Sequence, residues 1–342
     1  LTALAGSIDA TSSFIGQSVD IDAANNLTLT GDVTAATSAL AGAGGELTLT
    51  AGNGPLVVTG DLVGTTISLT STAGAIDATS NMTATTISFD AGTDLTLAGD
   101  ITAVDTLTLN ATDALDYLGN ATSQGDVTLT AGNGPLVVNG DLDGTTILLT
   151  STAGAIDATS NMSATTISFD AGTDLTLAGD ITAVDTLTLD ATDALDYSGN
   201  ATSQGDVILT GQSITMNSGS LNGAAVEVTS PGAVALTGDV TSDTTISVDA
   251  GTDLTLAGDI TAVDTLTLNA TDALDYLGNA TSQGDVTLTA GNGPLVVNGD
   301  LDGTTILLTS TAGAIDATSN MSATTISFDA GTDLTLAGDI TA

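Results

Sequence analysis

The chain contains no lysine, arginine, histidine, cysteine or tryptophan. Each absence removes a class of function. Without Lys or Arg nothing can neutralise phosphates, so nucleic-acid binding is excluded and an anionic membrane surface repels the chain. Without guanidinium groups there is no bidentate grip on carboxylates. Without cysteine there is no disulfide and no thiolate metal site, and cysteine usage says nothing of the redox compartment. Trypsin finds no bond to cut, which suits a protease-rich exterior. No run of 18 apolar residues occurs, so no membrane insertion is expected. Aromatic residues are only 2% of the chain, so its core must be aliphatic.

What is present is acid and aliphatic. All 41 charged side chains are acidic, Glu46 and Glu227 being the only glutamates, and the net charge is −41 over 342 residues. The hydrophobic share of 42% is too high for a disordered acidic tail. The partners left open are metal cations, basic surfaces and neutral sugars.

The dominant feature is periodicity. Residues 91–183 and 250–342 are identical at all 93 positions. The block 91–170 divides into four pieces of 20: AGTDLTLAGDITAVDTLTLN, ATDALDYLGNATSQGDVTLT, AGNGPLVVNGDLDGTTILLT and STAGAIDATSNMSATTISFD. Such a period marks a solenoid or an array. Laid out this way, 1–342 forms a single solenoid of about 16–17 coils with an 80-residue super-repeat. Two irregularities interrupt it: a glycine-rich loop insertion near 36–45, and divergent coils over 211–249.

Within each coil the apolar residues alternate with the period of a strand. In 91–110 they are Leu95 and Leu97, then Ile101, then Leu107 and Leu109; in 131–150 they are Leu136, Val138, Leu142, Ile147 and Leu149. Three clusters separated by Gly, Asp, Asn and Ser imply three short strands and three bends. Successive coils would pair through parallel strands about 4.8 Å apart, and parallel connections are right-handed in nearly all proteins. The predicted fold is all-β: a right-handed parallel β-helix with about 20 residues per coil.

Few residues suggest chemistry. At the bend after the first cluster, acid and amide mostly alternate: Asp61, Asn81, Asp100, Asn120, Asp141, Asn161, Asp180, Asn200, and after Ser220, Asp239, Asp259, Asn279, Asp300, Asn320, Asp339. This column reads either as a turn with spaced charge or as a row of cation sites. Asn-Gly-Asp-Leu-Asp-Gly at 139–144 and 298–303 offers Asp141 with Asp143, and Asp300 with Asp302, as oxygen ligands for Ca2+; the alternative is an ordinary turn. No cofactor is required. Thr-x-Thr pairs (Thr106/Thr108, Thr128/Thr130, Thr186/Thr188, Thr265/Thr267) would face outward on the third strand, as an ice-binding array or as ordinary exposed strand residues. N-glycosylation sequons begin at Asn26, Asn81, Asn110, Asn120, Asn161, Asn200, Asn269, Asn279 and Asn320. Catalysis is not expected: only carboxylates are available, and every Asp recurs in sibling coils or sits at a turn.

The phrases GTDLTLAGDITAVDTLTLNA and GDVTLTAGNGPLVVNGDL resemble the β-helix shafts of filamentous-haemagglutinin-type adhesins and autotransporter passengers. The resemblance covers essentially the whole chain. It implies a bacterial cell-surface or secreted protein that mediates adhesion or builds extracellular filaments, with host or surface glycans as partners. The lack of basic residues and the near-identity of the repeats depart from that pattern. The chain opens and closes in mid-repeat, which predicts a fragment of a longer array and end-to-end self-association through unpaired strand edges. The expected role is a structural shaft, with a binding module for ice or a neutral glycan as the alternative.

Overall fold

The computed structural model describes residues 1–35 and 45–342. The insertion expected near 36–45 falls on 36–44, outside the described residues. Contacts group the chain into two units, Leu1–Thr173 and Asp174–Ala342. Each is a parallel β-solenoid; the coils number about 17 in all, at about 20 residues each, and no helix occurs among the described residues.

In the first unit each face is a column of parallel strands in register. On the first face Leu56, Ile76, Leu95, Leu115, Leu136 and Ile156 stack in turn. On the second, Leu62, Met82, Ile101, Ala121, Leu142 and Met162 do so. On the third the column is Leu47, Ile67, Ile87, Leu107, Val127, Ile147 and Ile167. The second unit repeats the plan, its first face stacking Leu175, Leu195, Ile214, Val234, Leu254, Leu274, Leu295 and Ile315.

The second and third strands are separate where a glycine bend divides them, as in Ala121–Ser123 and Val127–Ala131. They run together in Met82–Ala91 and Ile101–Ala111, whose bends contain no glycine. The same sequence as Ile101–Ala111 forms two strands in the second unit, Ile260–Ala262 and Thr265–Ala270, so this bend lies close to the limit of continuous extended geometry.

The inward residues are those the alternation picks out: Leu95, Leu97, Leu107, Leu109, Ile147 and Ile167 are all buried. Two further inward positions per coil carry small residues, such as Ala103 and Ala111. They sit at the bends. The average of 20 residues conceals compensating steps. Met82 to Ile101 advances by 19, Ala121 to Leu142 by 21, and Leu107 to Val127 by 20. In the divergent stretch the step from Leu195 to Ile214 is 19, with a register shift after Tyr197. Bends absorb these differences while the strands stay aligned.

Candidate functional site

The most organised polar feature is the bend after the first face. Strand pairing brings one Asp or Asn from each coil directly over its counterpart. At most steps the side-chain Oδ1 accepts the backbone N–H of the next coil's residue; the column is interrupted at Ser220, whose Oγ donates to Asn200 Oδ1 at 3.0 Å. Asn81 N–H donates to Asp61 at 3.1 Å, Asp100 N–H to Asn81 at 3.1 Å, Asn120 N–H to Asp100 at 2.9 Å, Asp141 N–H to Asn120 at 3.0 Å and Asn161 N–H to Asp141 at 2.9 Å. Where the upper residue is Asn, its Nδ2 donates to the same acid, for example Asn120 to Asp100 at 3.2 Å and Asn161 to Asp141 at 3.3 Å. The second unit repeats the ladder with Asn279 on Asp259 and Asn320 on Asp300. Asp32, not included in the sequence reading, begins the column: it accepts the Asp61 N–H at 3.1 Å.

Glycine precedes nearly every rung, and its column is what lets the rungs approach. A Cβ on Gly119 would fall on the carbonyl oxygen of Gly99; one on Gly140 would fall on that of Gly119, and one on Gly258 on that of Gly238. Gly219 has φ 92°, a conformation that only glycine adopts readily. Three coils carry serine here instead: Ser80, Ser160 and Ser319, all buried. In those coils the last inward residue of the first face is alanine (Ala78, Ala158, Ala317), as it is at Ala10 in the first coil, where the remaining coils have Leu, Tyr, Val or Met. The buried serine side chain offsets part of the volume that alanine gives up beside the bend.

Asp141 and Asp300 are therefore rungs of this ladder. Asp143 and Asp302 lie two residues on, exposed at the end of a two-residue strand; Asp143 is flanked in register by Thr122 and Ser163. Among the described residues no three of His, Cys, Asp or Glu are gathered as ligands around a metal ion would be.

The other two bends are held by serines the sequence reading passed over. Ser71, Ser151 and Ser310 take the inward place of Ala91 or Ala111. Ser151 Oγ donates to the Gly134 carbonyl at 2.9 Å and accepts the Gly154 N–H at 3.2 Å. At the bend between second and third faces, Ser123 Oγ donates to Asp105 O at 3.1 Å and accepts the Gly125 N–H at 3.2 Å. Each satisfies two backbone groups that the bend would otherwise orphan. The signal was available: serine in phase with alanine every 20 residues, beside a glycine.

Tyr117, Tyr197 and Tyr276 fill the first face and are fully buried. Tyr197 OH donates to Gly179 O at 3.1 Å, whereas the hydroxyls of Tyr117 and Tyr276 have no partner. Burial pushes all three phenols far above the ordinary value, and the carboxylate beside each (Asp100, Asp180, Asp259) adds to the shift.

On the third face Thr48, Ser68, Ser88, Thr108, Thr128, Leu148 and Ser168 form one outward column. The threonine array is thus interrupted by serine and by Leu148. The sequon amides of Asn81, Asn120, Asn200, Asn279 and Asn320 are engaged in the ladder, and that of Asn269 donates to Asp249 at 2.7 Å.

No family profile, curated protein or solved structure matches the chain.

Proposed function

We propose that this protein is a structural shaft: a non-catalytic, acidic repeat module of a large extracellular bacterial adhesin or surface filament. One observation carries the reading. The most elaborated polar feature, the Asp/Asn ladder, uses its side chains to tie each coil to the next. Polar groups are spent on continuity, and the same arrangement returns in most coils with no singular constellation among the described residues. That is the economy of a spacer, in which length matters more than any single surface. The extracellular setting rests on the resemblance of the repeat phrases to adhesin shafts and on the absence of tryptic sites. The outward Thr columns support the second reading, a binding module for ice or a neutral glycan.

The test joins a length series to two binding assays. An added copy of residues 91–170 should lengthen the particle by about 19 Å in small-angle scattering, four coils at about 4.8 Å each, without changing the thermal midpoint by more than a few degrees. Thermal-hysteresis and glycan-array measurements should both be silent. Activity in either would replace the shaft with the binding module.

A further inference from the structure

We propose that this chain can exchange coils with a second copy of itself at two equivalent seams, one before Ala91 and one before Ala250. The argument begins with what each seam presents. In the first unit the strand Met82–Ala91 receives Ile101–Ala111, with Ile87 over Leu107 and Phe89 over Leu109, while Asn81 Oδ1 accepts the Asp100 N–H at 3.1 Å. In the second unit the strand Thr245–Ala250 receives Thr265–Ala270, with Ile246 over Leu266 and Val248 over Leu268, while Asp239 Oδ1 accepts the Asp259 N–H at 2.9 Å.

The residues arriving at the two seams are chemically the same. Asp100, Leu107 and Leu109 correspond to Asp259, Leu266 and Leu268 within a stretch of 93 identical residues. Coil 71–90 of one molecule, offered residues 250–342 of another, meets the side chains it meets natively. The reciprocal pairing, coil 231–249 of the second molecule with residues 91–342 of the first, is equally matched. Beyond the residues released as linker, every buried leucine and every rung is conserved in the exchange; the linker itself gives up Leu95, Leu97 and the Asp100 rung at one seam and Leu254, Leu256 and the Asp259 rung at the other. Sequence therefore supplies no discrimination between the intrachain and interchain pairing, and register specified by side-chain pattern is degenerate here.

Connectivity is what favours the intrachain form. The next coil is covalently attached, at an effective concentration of order millimolar. Crossing between molecules needs only a released linker: about ten residues following each seam, extended, span on the order of 33 Å. Exchange should then compete when chains fold at concentrations approaching that figure. Once formed it should persist, because reversal requires stripping whole coils. This is domain swapping with two interchangeable docking points.

The experiment uses the full chain in an affinity-tagged and an untagged form. The two are unfolded, mixed and refolded together from low micromolar to near-millimolar concentration, then diluted. Capture on the tag and size-exclusion chromatography with light scattering follow. The expected result is untagged chain recovered in a discrete dimer with β-rich circular dichroism. Its fraction should rise about tenfold per tenfold increase in refolding concentration while small, as bimolecular competition requires, and should survive dilution. Separately folded forms mixed afterwards should give none. The proposal is overturned if no co-capture occurs at any concentration. It is equally overturned if simple mixing of folded chains gives the same capture, or if the captured material is polydisperse aggregate.

Discussion

The backbone N–H and the side-chain amide of Asn120 both donate to a single carboxylate oxygen, Oδ1 of Asp100, at 2.9 and 3.2 Å. The next coil continues the sequence of donors, since the Asp141 N–H donates to Asn120 Oδ1 at 3.0 Å. The ladder thus has a direction: acceptors below, donors above. It also explains why acid and amide alternate. An Asn above an Asp gives its NH2 an anionic acceptor and keeps the next carboxylate two coils away.

Substitutions along this column should be asymmetric. Asn120→Asp would place three carboxylates in successive coils, from Asp100 to Asp141. Two unit charges about 4.8 Å apart in water repel by roughly 1 kcal/mol, and the amide hydrogen bond, worth about 1 kcal/mol, is lost as well. Two such pairs are created, so a loss of about 3 kcal/mol in low salt is expected in denaturant unfolding. Asp259→Asn has the opposite effect. It keeps an Oδ1 to accept the Asn279 N–H and removes the acid-on-acid step above Asp239, so stability should be unchanged or higher. The same sign for both substitutions would refute the electrostatic account of the alternation.

The glycine column sets a steric limit. Gly119→Ala would drive a Cβ into the carbonyl of Gly99, which is backbone and cannot swing away. A loss of about 3 kcal/mol or more is expected from forced strain of this kind. Gly6→Ala is the control, because nothing lies within 4 Å of its Cβ position; its unfolding free energy should change by no more than about 0.5 kcal/mol.

Two buried serines of similar exposure should respond differently. Ser151→Ala orphans the Gly134 carbonyl and the Gly154 N–H, and leaving buried groups unpaired costs about 1–3 kcal/mol. Ser160 Oγ has no partner, so Ser160→Ala should be neutral or stabilising. Equal losses at both sites would show that volume, not hydrogen bonding, governs these positions.

The fold was legible because its signal is redundant. The alternation at Leu95, Leu97, Leu107 and Leu109 is repeated in sibling coils, so one ambiguous coil is corrected by the others. The one-residue shift at Leu136 and Leu142, and its recovery at Ile147, could likewise be read from spacing. The bends were less legible. Ala103, Ser123 and Ser151 are inward by position, but their small or polar side chains carry almost no hydrophobic signal. Asp141 and Asp300 stood out as acids, yet their hydrogen-bond partners lie about 20 residues away, so a local reading of Asn-Gly-Asp-Leu-Asp-Gly left an ordinary turn and a cation site side by side without naming those partners.

The tyrosines predict alkaline behaviour. Their phenols are held above the ordinary value of 10.0 mainly by burial. The unfolded chain ionises near that ordinary value while the folded chain does not. Stability from this source is complete below about pH 10 and falls as pH rises beyond it, because hydroxide then favours the unfolded state. Phenolate absorbance should therefore stay flat in the folded protein until unfolding and appear in one step with loss of the β signal. Tyr117→Phe, which removes an unpartnered hydroxyl, should leave neutral-pH stability unchanged or improved. Tyr197→Phe should cost about 1 kcal/mol for the bond to Gly179. A smooth phenolate titration near pH 10 with the fold intact would contradict the burial.

Salt should stabilise the protein. All 41 charged side chains carry the same sign, so self-repulsion opposes the compact state. The Debye length falls from about 30 Å at 0.01 M to about 8 Å at 0.15 M, which leaves neighbouring rungs in the ladder coupled but screens charges several coils apart. The thermal midpoint should therefore rise steeply between these concentrations and then flatten. Sodium, lithium and potassium chlorides should act alike at matched ionic strength, since screening has no ion preference. Calcium tests the turns directly. Asp141 already gives its Oδ1 to Asn161, so a bound cation would have to share that oxygen or use the other one together with Asp143. A further rise in millimolar calcium at fixed ionic strength, reversed by chelator and abolished by combining Asp143→Asn with Asp302→Asn, would assign the two turns a cation. Identical midpoints in low salt, sodium, calcium and chelator would refute the repulsion argument as a whole.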